Sequence, residues 1–111
     1  MAIGDRTPKK LAQSALTTTA ATYYTGVTSY RTQLTQIFLA NTNTTTTRYV
    51  TLYAYGTAAA NTIAMKIELA ANGSTIIDSK IVLLASETFS AKQDTGTDVT
   101  ITLFGVEEQI A

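Results

Sequence analysis

Of the side chains that can hold or move charge, this sequence has eight carboxylates, eight Lys or Arg and six tyrosines, and it has neither His nor Cys. The missing imidazole and thiol remove the commonest general base near neutral pH, the Ser-His and Cys-His nucleophile pairs and the usual zinc ligands. Two acidic clusters remain. Glu107 and Glu108 are adjacent at the end of an alternating apolar segment. Neighbours on a strand point to opposite faces, so these carboxyls do not converge on one substrate atom and are expected to form a solvated polar end. Asp94-Thr95-Gly96-Thr97-Asp98 has the acidic-glycine-acidic look of a calcium loop, but the place where an EF-hand loop puts its bidentate Glu is Gly105. The six glycines are scattered singly, with no phosphate-cradling run. No catalytic residue, cofactor or metal ligand is assigned, and the chain is expected not to be an enzyme. The sequons Asn43-Thr44-Thr45 and Asn72-Gly73-Ser74 matter only in a secreted protein.

The tyrosines are more informative. Tyr49, Tyr53 and Tyr55 alternate with Val50, Leu52 and Ala54, which places the rings on one face of a strand and the aliphatic groups on the other. Tyr23, Tyr24 and Tyr30 lie in the N-terminal third. Tyr combines a large rigid apolar area with a polar tip. The stripe is therefore open to three uses: the second half of a core, an intersubunit contact or a sugar platform.

Strands must position these groups. Charged residues are 14% of the chain, and threonine fills the gap with 23 of 111 positions; Thr is β-branched and suits a pleated, half-exposed surface. The length predicts one domain. Zero net charge offers no electrostatic footprint for nucleic acid, and no apolar stretch reaches a membrane span. Residues 1–13 contain Arg6, Lys9, Lys10 and the only proline, Pro8, without apolar periodicity or the apolar centre of a signal peptide. They are expected to form an N-terminal arm reaching a neighbouring subunit, ahead of a single domain over 14–111. The protein is expected to be soluble and non-secreted.

From Leu16 the pattern predicts strand after strand: one long or two short over 16–25, then 31–40, 48–55, 62–69, 74–84, 88–93 and 99–106, with polar loops at 41–47 and 94–98. In 31–40 both faces carry apolar groups, Ile37 and Leu39 against Leu34 and Phe38, which predicts a strand covered on both sides. In 62–69, Ile63, Met65, Ile67 and Leu69 are expected inside, with Lys66 and Glu68 outside. Asn72-Gly73 predicts a type I′ hairpin that returns 74–84 antiparallel to 62–69. A helical turn could hide at 58–60 or 11–15. The predicted fold is an all-β antiparallel sandwich, a jelly roll.

The segments Leu16-Thr17-Thr18-Thr19, Tyr23-Tyr24-Thr25, Ile37-Phe38-Leu39-Ala40-Asn41-Thr42, Val50-Thr51-Leu52-Tyr53 and Val99 to Glu107 resemble small virion proteins of tailed bacteriophages, of the capsid decoration or cement type. At Gly26-Val27-Thr28-Ser29 the chain departs from the Pro-Ala-Gly-like turn of many such proteins. The resemblance implies a jelly-roll-like fold, homotrimers bound outside a capsid lattice to the major capsid protein, synthesis in the host cytoplasm and no catalytic residues. The interface is then expected at Arg6, Lys9 and Lys10 of the arm and at Tyr49, Tyr53 and Tyr55. A tail, connector or fibre module, structural or glycan-binding, is the alternative.

Overall fold

A strand with one apolar face hides it by stacking on another sheet, and this chain does so twice over in a computed structural model that describes residues 2–111. The strands are β1 (Arg6–Ala15), β2 (Ala21–Thr25), β3 (Tyr30–Asn41), β4 (Arg48–Ala54), β5 (Thr62–Leu69), β6 (Ser74–Leu83), β7 (Thr88–Gln93) and β8 (Val99–Gln109), with a 3-10 turn at Ala59–Asn61. Sheet A has the order β1-β8-β3-β6 and sheet B the order β2-β7-β4-β5. Every pairing is antiparallel. Successive strands alternate between the sheets except β4 and β5, which are neighbours in sheet B, and this makes an eight-stranded jelly roll. Leu34, Ile37 and Leu39 of β3, Leu52 of β4, Phe89 of β7 and Ile101 and Leu103 of β8 fill the space between the sheets.

The N-terminal segment is extended, as expected, but it is not a free arm. Met1 lies outside the described residues, and residues 6–13 belong to β1, paired to β8 from Arg6↔Glu108 to Ala15↔Thr100. The boundary expected at 13/14 therefore falls inside a strand, and 11–15 is strand rather than helical turn. Apolar periodicity is weak here because β1 is an edge strand that leaves most side chains exposed, and Pro8 is tolerated where one edge of the strand needs no ladder donor.

Two further differences come from bulges. Opposite Gly105 and Phe104 of β8, β3 carries one extra residue, Thr35, and opposite Phe104 and Leu103, β1 carries one, Leu11; β6 sets Ser79 and Lys80 against Thr35. An extra residue flips the side-chain alternation. Thr32 and Leu34 before the bulge, and Ile37 and Leu39 after it, all face inward, so β3 has a single core face and is not covered on both sides. The Thr35 hydroxyl donates to the Phe104 carbonyl (3.2 Å) and that of Ser79 to the Leu34 carbonyl (2.6 Å), satisfying acceptors near the disrupted ladder. In β5 a bulge falls between Ala64 and Ile67, with Lys66 at φ 50°. Leu69 is inside and Ile67 half-buried as expected, but Ile63 and Met65 are turned out to solvent.

The Asn72-Gly73 turn is not a hairpin between paired strands. β5 pairs with β4 and β6 with β3, so the turn carries the chain from one sheet to the other. Asn72 takes a positive φ of 60° and Gly73 N–H donates to Ala70 O (2.7 Å), the pattern of a type II turn. The buried Asn41 amide donates to Leu69 O (3.1 Å) and Ala70 O (3.2 Å), tying the crossing to the end of β3.

Gly105 marks the tightest point of sheet A: a Cβ there would lie 2.5 Å from Gln33 O and 2.8 Å from Leu11 Cδ1. Gly105→Ala is expected to destabilise the fold by about 1–3 kcal/mol in chemical denaturation, because both neighbours must shift.

Candidate functional site

Three places concentrate polar chemistry. The first lies between the sheets. The inward alternation of β8 runs Val99, Ile101, Leu103, Gly105, Glu107, so Glu107 points into the sandwich and is only 8% exposed. Lys9 Nζ donates to its Oε1 (2.9 Å), the Tyr24 hydroxyl donates to its Oε2 (3.0 Å), and that hydroxyl also meets Thr32 Oγ1 (2.8 Å). Burial raises the Tyr24 phenol above its ordinary range, and the Glu107 hydrogen bond holds the Lys9 ammonium above its own. Glu107 is therefore not the solvated end expected of it, although Glu108 does take the opposite face.

The second is the outer face of sheet A, where Arg31 grips Glu108 Oε1 (Nη2 2.6 Å, Nε 3.2 Å) and Arg6 lies 3.8 Å from Oε2. These residues, with Gln33, Val82 and Val106, line a hollow of about 440 Å³. The third is the outer face of sheet B, where Tyr49, Thr51, Met65, Lys66, Lys92 and Asp94 line one of about 620 Å³.

The expected interface residues do not form one surface. Arg6 and Lys9 are engaged with Glu108 and Glu107, and Lys10 is exposed. Tyr49 lines the hollow on sheet B, whereas Tyr53 is 6% exposed. Tyr55, at φ 69°, is turned out of the strand and donates its hydroxyl to Val82 O (2.8 Å) on the other sheet. Lys66 faces out as expected, whereas the exposure of Met65 beside it escapes notice in the sequence because the bulge that turns it out is a tertiary feature. The inward face of Glu107 was available by extending the alternation of 99–103.

The loop at 94–98 is filled from within the chain. Asp94 Oδ1 accepts from the Tyr49 N–H (3.1 Å), while Asp98 accepts from Arg48 Nε (2.9 Å) and Nη2 (3.1 Å) and from Asn43 Nδ2 (2.8 Å). Asn43 Oδ1 in turn accepts from the Thr45 and Thr46 N–H groups, both at 2.8 Å. Among the described residues, no three or more Asp or Glu side chains converge as a metal site.

No protein-family model and no curated protein matches the sequence. Solved structures do match its fold. The capsid of Helicobacter pylori bacteriophage KHP30 aligns over 98% of this chain and 92% of its own, at 11% identity and a TM-score of 0.61. The disulfide-linked pili of Bacillus endospore appendages align over 99% and 93%, at 15% identity and 0.55. The virus-like particle of the giant freshwater prawn Macrobrachium rosenbergii extra small virus aligns over 100% and 84%, at 9% identity and 0.51. The fold is shared with capsid and pilus proteins. At these identities the likeness is one of architecture, and the disulfide linkage named for the pili has no counterpart in a chain without cysteine.

The Arg48 guanidinium, helped by the Asn43 amide, lowers the Asp98 carboxyl to about 2, and Arg31 lowers Glu108. Groups with a folded-state pKa below the unfolded one stabilise above the ordinary carboxylate range and lose that contribution as the pH falls through the folded value. Unfolding transitions are expected to show this loss from about pH 4 toward about pH 2, with Asp98→Asn flattening part of it. Tyr24→Phe removes both hydroxyl contacts inside the sandwich and is expected to cost about 1–3 kcal/mol in urea titrations.

Proposed function

We propose that this chain is a non-catalytic structural protein of a virus particle, a decoration or cement protein on the head of a tailed bacteriophage that bridges major capsid subunits. The observation that carries this proposal is the unequal character of the two ends of a body measuring 49 × 26 × 18 Å. At one end, backbone bonds gather the N-terminal residues, the β2–β3 turn, the β6–β7 turn and the C-terminus: Gly4 N–H to Gln109 O (2.7 Å), Ile110 N–H to Ser29 O (2.9 Å) and Ser86 N–H to Gly26 O (3.0 Å). These segments present Ile3, Val27, Leu84 and Ile110, between 42% and 72% exposed, and Tyr55 stands beside them at the start of the β4–β5 connection. Single exposed apolar residues are ordinary on a protein surface; a gathering of them marks a contact.

At the other end the loops at 17–20, 41–47, 70–73 and 94–98 are rich in Thr and Asn, and the buried amides of Asn41 and Gln93 close the core beneath them. The Gln93 amide donates to Leu16 O (2.8 Å) and accepts from Val99 N–H (3.1 Å). Such a molecule seats its apolar end on the shell and turns the polar end to solvent, and a trimer would present three such ends together. A contact of on the order of 800 Å² per partner suffices for specificity, and lattice symmetry repeats it. The jelly-roll likeness to capsid proteins is consistent with this placement. The role of residues 6–13 in this proposal is to complete the sheet rather than to reach the shell as a free arm.

Quantitative mass spectrometry of purified particles of the encoding virus is expected to find this chain at a fixed lattice fraction of the major shell protein. A ring's worth of copies would move it to the connector or tail, and absence from particles would overturn the assignment. The double substitution Val27→Asp and Leu84→Asp is expected to keep the fold and abolish particle binding.

A further inference from the structure

We propose that β1 is an exchangeable strand: the slot on β8 that it fills is a binding site for β1 of a second copy of this chain. The first ground is how little holds β1 in place. None of its side chains is fully buried; only Leu11 and Ala12 are half-buried, and the rest are exposed. Apart from its ladder with β8, it lies near β2 and touches the core through Leu11 and Ala12 only.

The second ground is the character of the slot. Its inner end is lined by Glu107, Tyr24 and Thr32 rather than by aliphatic groups. When β1 leaves, water can solvate the carboxylate and hydroxyls it uncovers, so departure costs less than opening a purely apolar seam.

The third ground is selectivity. The slot offers Glu107 to a cation three residues after the strand's first charge and Glu108 to that first charge, matched by Lys9 at 2.9 Å and Arg6 at 3.8 Å. It also accommodates a bulge at Leu11, opposite Phe104 and Leu103, with the Leu11 side chain lying against the bare Gly105. The ligand that satisfies all three demands is a basic strand of this sequence.

The hinge is also defined. The Leu16 side chain is fully buried and its N–H donates to Val99 O (2.8 Å), so the chain is anchored immediately after the strand. Ala15, the last residue of β1, is exposed, and a pivot there releases the strand without moving the core. The ladder and ion pairs are the same in closed and exchanged forms, so concentration and symmetry decide between them. Each copy passing β1 to the next closes a ring when the rotation allows it. This assignment stands whether or not the chain belongs to a virion.

Because the chain has no cysteine, the exchange can be read by cross-linking. Gln13 and Thr102 face each other across the β1–β8 ladder, 3.2 Å apart between side-chain atoms. Full-length Gln13→Cys and Thr102→Cys variants, mixed, co-refolded from denaturant and oxidised, are expected to give a covalent product joining one chain of each. Its yield should exceed that of a Gln13→Cys and Lys66→Cys mixture, which reads random collision. Yield no higher than this control, with the Gln13→Cys/Thr102→Cys double variant closing within one chain, would overturn the proposal. A second measurement decides independently of thiol geometry. Lys9→Glu repels Glu107 in its own chain and Glu107→Lys repels Lys9 in its own chain, but each strand complements the other variant's slot. Light scattering of the mixture is expected to show an oligomer absent from either variant alone; chains that remain monomeric in the mixture reject exchange.

Discussion

The alternation of β8 is the constraint on which the rest of sheet A depends. Over its eleven residues the inward positions never slip, while β1 and β3 on either side must each insert a residue, Leu11 and Thr35, to stay in step. The two insertions flank Phe104, Thr35 on its Gly105 side and Leu11 on its Leu103 side, and the missing side chain of Gly105 lets the neighbouring backbone and Leu11 come close. Bulges bend a strand and increase its twist, and aligned across a sheet they curve it as a unit. Bending at one level lets sheet A follow sheet B around a single core. The same alternation delivers Glu107 to the interior, where Lys9 of β1 pairs with it.

Charge in this protein is scarce, and its arginines are all paired within the chain. All three arginines lie in ion pairs: Arg6 and Arg31 with Glu108, and Arg48 with Asp98. Exposed pairs of this kind add little stability individually. Outside these pairs Lys10, Lys66, Glu68, Asp78 and Lys80 stand exposed among Thr, Tyr and aliphatic side chains.

The two ends of the sandwich solve opposite problems. At the Thr-rich end, the loops satisfy their own backbone groups through Asn41, Asn43 and Gln93, so the end is complete without a partner. At the apolar end, turns and termini are tied by main-chain bonds, which leaves their aliphatic side chains pointing outward. Water is a poor neighbour for the latter and a good one for the former.

Composition and alternation alone determined the class of this protein: threonine-rich strands, clean alternation in β4 and β8, and turn residues at regular spacing lead to an antiparallel sandwich, because each observation concerns residues close together in the chain. The absence of His and Cys likewise narrowed the chemistry without any coordinates. Only the tertiary structure decided which face a residue takes after a bulge, since Thr35 and Lys66 reverse the parity of their strands for reasons that lie in the neighbouring strand. It also decided that Asn72-Gly73 joins two sheets instead of one hairpin, because a turn signal carries no information about the partner of the strand that follows. Residues 6–13 lacked the periodicity of a core strand because their pairing is carried by backbone bonds and by Lys9 reaching Glu107, almost the whole chain away. That ion pair links two charges that look like solvated ends in sequence and become neighbours only when β1 lies on β8.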